Sequence, residues 1–184
     1  MRMSCSAAIL AAPLLALVLA GPVRAAELQP IDCGSSPFGV TDAAYHVDCE
    51  RSKDNLHVDE TAGSVQLDVI TVSSDDRQVF FTVVSQLVLA PRIYLEHRNL
   101  SESFHSVFEH ADVAEWKGIG NKEGYDVAEF KSDVSGQQSV CIAIQRYTNP
   151  AWTGYKRHII GMGCATAGLD PVYRILSELK APGD

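Results

Sequence analysis

The segment from Ser139 to Ala165 constrains the fold most, because its apolar residues alternate along two strand-like runs separated by a short loop. Trp152 lies in that loop, and Cys141 and Cys164 are about equally far from its centre. An antiparallel hairpin sets such residues opposite each other, with Cβ atoms ~4.5–5.5 Å apart. A disulfide needs ~3.5–4.5 Å. The pattern therefore predicts a hairpin cross-linked by Cys141 and Cys164.

The N-terminus predicts an export signal. Arg2 precedes an apolar run from Ala7 to Ala20, and Val23-Arg24-Ala25 resembles a cleavage site. The run is about 14 residues long, whereas a membrane-spanning helix needs ~20. We therefore predict a cleaved signal over residues 1–25 and a single domain over residues 26–184. The domain is expected to be periplasmic or secreted, without membrane insertion after cleavage.

The remaining cysteines agree with an oxidising compartment. Cys5 leaves with the signal, and an even number of cysteines stays in the mature chain. Once Cys141 and Cys164 are paired, elimination predicts a Cys33–Cys49 disulfide. Each bridge closes a loop of about 15–25 residues and contributes perhaps ~3 kcal/mol in the chain-entropy model.

Charge narrows the classes of partner. The predicted signal holds two of the 15 basic residues and none of the 23 acidic ones, which leaves the mature chain with a formal charge of −10. This charge opposes binding to nucleic acid or to an anionic membrane. We expect another envelope protein or a small molecule as the partner.

Alternation predicts further strands. Ser64–Val72 and Val79–Leu89 form a hairpin, and a second hairpin joins Val113–Ile119 to Tyr125–Lys131 through a turn at residues 120–124. Residues 45–49 indicate another strand, with a short return strand through residues 56–58. A helix over residues 42–51 is the competing interpretation.

Two segments have helical periodicity. Leu100, Phe104, Val107 and Phe108 form one apolar stripe, and Asn99 or Ser101 is placed to cap the helix. The C-terminal helix is predicted to start with Asp170 as its cap and Pro171 in its first turn. Its apolar stripe contains Val172, Ile175, Leu176 and Leu179, and Pro182 ends it.

These elements predict an α+β fold, in which an antiparallel sheet packs against a mid-chain helix and a C-terminal helix. The order of hairpin, helix, several strands and terminal helix resembles the PsbP-like exported α/β sandwich domains. The resemblance is one of element order and includes no motif residue. It implies an accessory or binding role.

Histidines and carboxylates near the mid-chain helix have the chemistry of zinc ligands. His105, His110 and Glu109 are the candidates, with His97 and Glu96 just before the helix. His105 and His110 are five residues apart, which turns them to different helix faces. We therefore expect solvated side chains and no metal site.

Two other patterns are weaker still. Asp54, His57, Asp59 and Glu60 surround a turn but lack the spacing of a calcium-binding loop. Gly118, Gly120 and Gly124 do not match a phosphate-binding loop, because they lie between two strands. They are better explained by a hairpin turn.

Gly161 and Gly163, inside a strand, indicate close approach of a helix or an aromatic ring.

The segment 147–157 is the best candidate for partner binding. Tyr147, Trp152, Tyr155 and Arg157 are residue types that anchor interfaces when they stand on a loop. The alternative is that Trp152 folds back over a sheet edge. The sequence favours neither.

The sequence predicts a non-enzymatic periplasmic accessory or binding module, without a cofactor. It contains no Gly-x-Ser-x-Gly elbow and no Cys-x-x-Cys pair. Two alternatives remain: a secreted factor that faces a host or another cell, and a small hydrolase or metal-dependent enzyme built from the histidine and carboxylate clusters.

Overall fold

The computed structural model describes residues 27–40, 44–53, 56–57, 64–134 and 137–180. These residues form nine strands and two helices. The strands are β1 (Leu28–Pro30), β2 (His46–Ser52), β3 (Leu56–His57), β4 (Ser64–Ser73), β5 (Val79–Val88), β6 (Ala114–Lys122), β7 (Tyr125–Val134), β8 (Gln137–Ala151) and β9 (Gly154–Ala165). The helices are α1 (Leu100–Val107) and α2 (Asp170–Glu178).

All the described strands belong to one antiparallel sheet, which with the two helices confirms the α+β class. The order is β1-β2-β4-β5-β9-β8-β7-β6, and β3 pairs beside β4. The predicted hairpins β4–β5, β6–β7 and β8–β9 are all present. The central pair is β5 with β9, which joins the two halves of the chain.

Two apolar clusters occupy opposite faces of the sheet. One contains Ile70 and Val72 of β4 together with the buried apolar residues of α2. The other contains Leu67 and Val69 of β4 together with Phe104 of α1. Successive strand residues point to opposite faces, so β4 divides its side chains between the two clusters.

The β8–β9 hairpin has the predicted register. Cys141 is paired directly with Cys164, and their disulfide joins Cα atoms 4.1 Å apart. Both residues are buried. On the neighbouring row, a Cβ atom at Gly163 would overlap the ring of Phe81 and lie 2.5 Å from Val172 of α2. The close approach predicted at Gly163 is therefore confirmed.

The second disulfide joins Cys33 to Cys49 of β2, with Cα atoms 5.2 Å apart. Cys33 begins a short 3-10 turn over Cys33–Ser35, and Asp32 caps this turn by accepting a hydrogen bond from the Gly34 amide. The bridge therefore holds the N-terminal segment against the sheet. Both predicted pairings are confirmed.

Some local predictions are confirmed and others need correction. The strand predicted at residues 45–49 is confirmed in place of the competing helix, because β2 pairs with both β1 and β4. The β6–β7 turn is only two residues long, since Glu123 and Gly124 both take positive φ, as a tight hairpin turn requires. β3 pairs with β4 and not with β2.

The start of α2 also differs from the prediction. Leu169 is the N-cap residue, and no side chain caps the helix. Asp170 is the first helical residue, where its carboxylate meets the positive end of the helix dipole. Asn99, in contrast, caps α1 as predicted, because its side chain accepts a hydrogen bond from the Glu102 amide.

Some predictions lie outside the described residues. These are the signal peptide, Pro182, and most of the acidic turn at residues 54–60. No helix within the described ranges has the length and apolar character needed to cross a bilayer.

Candidate functional site

A cleft lies between the segment that leads into α1 and strands β6 to β8. It has two parts that share His97, Asp126 and Gln145. The polar part, of about 220 Å³, is also lined by Tyr147 and Tyr155. The apolar part, of about 430 Å³, is also lined by Leu100, Trp116, Gly118, Val127 and Ala128. The molecule thus joins a polar pocket to an apolar one.

Gln145 of β8 is the central residue of the cleft. Its side chain is 1% exposed, and its Nε2 donates a hydrogen bond to the Arg98 carbonyl oxygen at 3.0 Å. This bond fixes the orientation of the amide, because a carbonyl oxygen only accepts. The Gln145 Oε1 is buried and has no hydrogen-bond partner among the described residues. An acceptor left in that state costs about 1–3 kcal/mol.

Aromatic rings form one side of the polar part. The ring centroids of His97 and Tyr147 are 4.8 Å apart, and those of Tyr147 and Tyr155 are 5.0 Å apart. The Arg98 amide donates a hydrogen bond to the Tyr147 hydroxyl at 3.1 Å. Leu95 also pairs with Tyr155 through backbone hydrogen bonds, so the segment before α1 contacts both tyrosines.

His158 of β9 lies beneath this aromatic group. Its ring stacks on Tyr147 with centroids 4.4 Å apart and planes inclined by 14°. Burial, with smaller contributions from His97 and Arg98, lowers the pKa of His158 to about 4. The imidazole is therefore neutral at pH 7, and its Nε2 is buried with no partner among the described residues.

The four predicted partner-binding residues do not share one surface. Tyr147 and Tyr155 line the cleft, whereas Trp152 lies fully exposed at the hairpin turn. Arg157 is buried and donates a hydrogen bond to the Ser85 hydroxyl at 3.3 Å. The predicted loop is in fact paired strand as far as Ala151 and from Gly154 onward.

This pairing explains why Trp152 does not fold back. Pro150 pairs with Tyr155 and Ala151 with Gly154, so only Trp152 and Thr153 remain for the turn. A two-residue turn projects its side chains away from the sheet. The interpretation in which Trp152 covers a sheet edge is therefore wrong.

The metal candidates are separated. His110 Nε2 lies 3.1 Å from a Glu109 carboxylate oxygen, and both side chains are substantially exposed. The His105 Nδ1 lies 2.7 Å from the Ser101 carbonyl oxygen one helical turn earlier. Within the described ranges, no three histidine, cysteine, aspartate or glutamate side chains are grouped as a metal site requires.

Four residues of the site were not predicted from the sequence: Gln145, Asp126, His158 and Trp116. Gln145 and His158 did carry a signal, because each directly adjoins apolar residues on its strand face, Ala143 in β8 and Ile160 in β9. Asp126 carried no such signal, since a carboxylate beside a hairpin turn is typical of a solvent-exposed position. Its place in the cleft depends on pairing directly with Gln145 across β7 and β8.

No family model, curated protein or solved structure matches the chain.

Proposed function

We propose that this chain is an exported, non-enzymatic binding module that holds a small molecule in the cleft. The observation that carries the proposal is the buried Gln145 Oε1, which has no partner among the described residues although the rest of its amide is fixed. A ligand that donates a hydrogen bond to this oxygen would remove the cost of leaving it unpaired.

The form of the cleft supports binding. Ligand pockets usually have ~300–1,000 Å³, mostly apolar walls and a few placed polar groups. The apolar part of the cleft has about 430 Å³, and the polar groups converge at its end. Tyr147 and Tyr155, which the sequence suggested as partner anchors, would here contact a small molecule.

The hydrogen bonds of the site support binding over catalysis. Nucleophilic enzymes pair a hydroxyl or thiol with a general base. Among the described residues no such group is hydrogen-bonded to an imidazole, and His158 is held neutral beneath Tyr147. The element order, which resembles PsbP-like exported domains, favours the same role.

We also propose that the protein works outside the cytoplasm. Two disulfides indicate an oxidising environment outside the cytoplasm. A periplasmic location is the version we favour, and secretion is the alternative. Fractionation of the producing cells distinguishes them, because a secreted protein would be recovered from the medium.

The cleft can be tested with Gly118→Val. A Cβ atom at Gly118 meets nothing within 4 Å, so the added side chain would extend into the apolar part without a clash at Cβ. We expect compounds found by thermal shift to stabilise the wild type but not this variant. A ligand at 100 times its Kd stabilises by about 2.7 kcal/mol.

Gly39→Val is the matched control, because a Cβ atom there also meets nothing within 4 Å and Gly39 does not line the cleft. It should keep the ligand response. The proposal is contradicted if Gly118→Val responds like the control, or if a broad metabolite library gives no response with the wild type.

The full exposure of Trp152 favours a second function, in which the tip of the β8–β9 hairpin docks on another protein. Crosslinking in cells, with Trp152→Ala as the comparison, tests it. A crosslinked partner that persists in the variant would exclude the tip as the docking site.

A further inference from the structure

We propose that the ligand of the cleft carries a protonated amine at the polar end and an apolar body. This inference rests on the binding function proposed above and specifies the chemical class of the ligand.

Two acceptors lie side by side at the point where the parts of the cleft meet. Asp126 of β7 and Gln145 of β8 are directly opposite in the antiparallel register, and both line both parts. Directly opposed residues have Cβ atoms ~4.5–5.5 Å apart. The exposed Asp126 carboxylate and the buried Gln145 amide oxygen are both acceptors on neighbouring strands, and an ammonium carries three N–H donors from one atom.

The aromatic residues favour the same group. His97, Tyr147 and Tyr155 lie within 6.1 Å of one another by ring centroid, at the edge of the polar part. The faces of tyrosine rings attract cations that approach within about 6 Å of the centroid. A carboxylate or phosphate ligand would instead face the ring electrons and the Asp126 charge.

Arg146 also lines the polar part, where its guanidinium lies beside an aromatic ring. Its guanidinium carbon lies 5.6 Å from the Tyr125 ring centroid. Its atoms are also the ones that a Cβ atom at Gly124 would meet. The guanidinium is therefore near Gly124 in the polar part, and Arg146 does not line the apolar part.

The apolar part determines what is attached to the amine. Leu100, Trp116, Val127 and Ala128 line about 430 Å³ next to Gln145 and Asp126. An aliphatic or aromatic group of a few carbons would fill part of this volume while its amine remains at the acceptors. The net negative charge of the chain would also raise the local concentration of a cationic ligand.

Three probes of one shape separate the classes: 2-phenylethylamine is a cation, 2-phenylethanol a neutral donor, and 3-phenylpropanoate an anion. The chain has two tryptophans, so Trp152→Phe leaves Trp116 in the apolar part as the sole tryptophan. Trp116 fluorescence in this background reports binding. We expect the amine to bind at least tenfold more tightly than the alcohol, and the anion to bind least.

Two substitutions test the acceptors. Gln145→Met removes the amide oxygen, and Asp126→Asn removes the carboxylate charge. Each should weaken amine binding at least tenfold and reduce the preference for the amine over the alcohol. Asp75→Asn is the matched control, because it removes the same charge from the exposed β4–β5 turn. It should change amine affinity less than twofold.

The outcomes separate this inference from the proposed function. Equal or tighter binding of the alcohol or the anion overturns the amine while the cleft remains a binding site. Failure of all three probes also overturns it if other compounds bind in a Gly118→Val-sensitive way. If no compound binds at all, the proposed function fails together with the inference.

Discussion

The β8–β9 hairpin has two ends with opposite chemistry. At one end Cys141 and Cys164 form a buried disulfide, and Gly163 leaves room for the Phe81 ring. Toward the turn, at the cleft end, Gln145 and His158 are also buried but carry polar atoms without partners among the described residues. The same two strands thus combine a fully packed end with an incompletely satisfied one.

The difference shows where the folded protein tolerates a cost in free energy, namely at the unpaired polar atoms of the cleft end. Buried polar atoms are normally paired, so unpaired ones mark positions where local rules of stability are broken. Real proteins break such rules mainly at functional sites. The disulfide end provides rigidity, and the cleft end keeps hydrogen-bonding capacity for another molecule.

The largest expected effect tests the packed end. Gly163→Ala should lower the free energy of unfolding by about 3 kcal/mol, because overpacking a rigid core costs ~1–3 kcal/mol or more. The added methyl group would overlap Phe81 and lie 2.5 Å from Val172. Urea denaturation measures the change. Gly39→Ala, with nothing within 4 Å, is the control, and equal stability of the two variants would show that this end is not tightly packed.

A smaller effect, confined to acid, tests the cleft end. The pKa of His158 is lowered to about 4 in the folded protein, whereas an unfolded histidine has ~6.5. The unfolded state therefore takes up the proton first, and stability is retained above about pH 6.5 and lost as the pH falls toward 4. At pH 5 this loss amounts to about 2 kcal/mol relative to pH 7.5.

His158→Gln removes the titrating group and should lose correspondingly less stability between pH 7.5 and pH 5. The comparison uses the difference between two pH values within each protein, so a constant cost of the substitution cancels. Identical pH dependence in wild type and variant would mean that His158 titrates normally, and that this end of the hairpin is open to water.

The smallest effect is expected beyond the cleft, at the hairpin turn. Trp152→Ala should change the free energy of unfolding by no more than about 0.5 kcal/mol, because the side chain is fully exposed. Thermal denaturation provides the measurement. A large loss of stability would show that Trp152 packs against the protein, and would remove the basis for a docking role.

The packed end was predictable from sequence, and the cleft largely was not. Alternation and equal spacing about Trp152 were enough to place Cys141 opposite Cys164. Gln145 and Asp126 are 19 positions apart in the sequence and meet only through the β7–β8 register. The unpaired state of the Gln145 oxygen depends on the course of the segment around Arg98, which no local pattern encodes.

The prediction that residues 147–157 form a loop was wrong for a related reason. Pro150 and Gly154 are turn formers, and they suggested a longer loop than the two residues that remain. Pairing of Pro150 with Tyr155 extends the strands past both Tyr147 and Arg157. Strand pairing therefore outweighed the local preference of Pro150 and Gly154 for a turn. As a result Tyr147 and Tyr155 line the cleft and do not stand on an exposed loop.

The central pairing of β5 with β9 has a kinetic consequence. Val79 lies opposite Ala165, so the contact that joins the two halves of the sheet spans 86 positions of sequence. Long-range pairing slows folding, because the chain loses the entropy of closing a long loop before the strand contacts can stabilise it. The β4–β5 and β8–β9 hairpins can each form locally, but the β5 edge stays unpaired until β9 has been synthesised and its hairpin has docked.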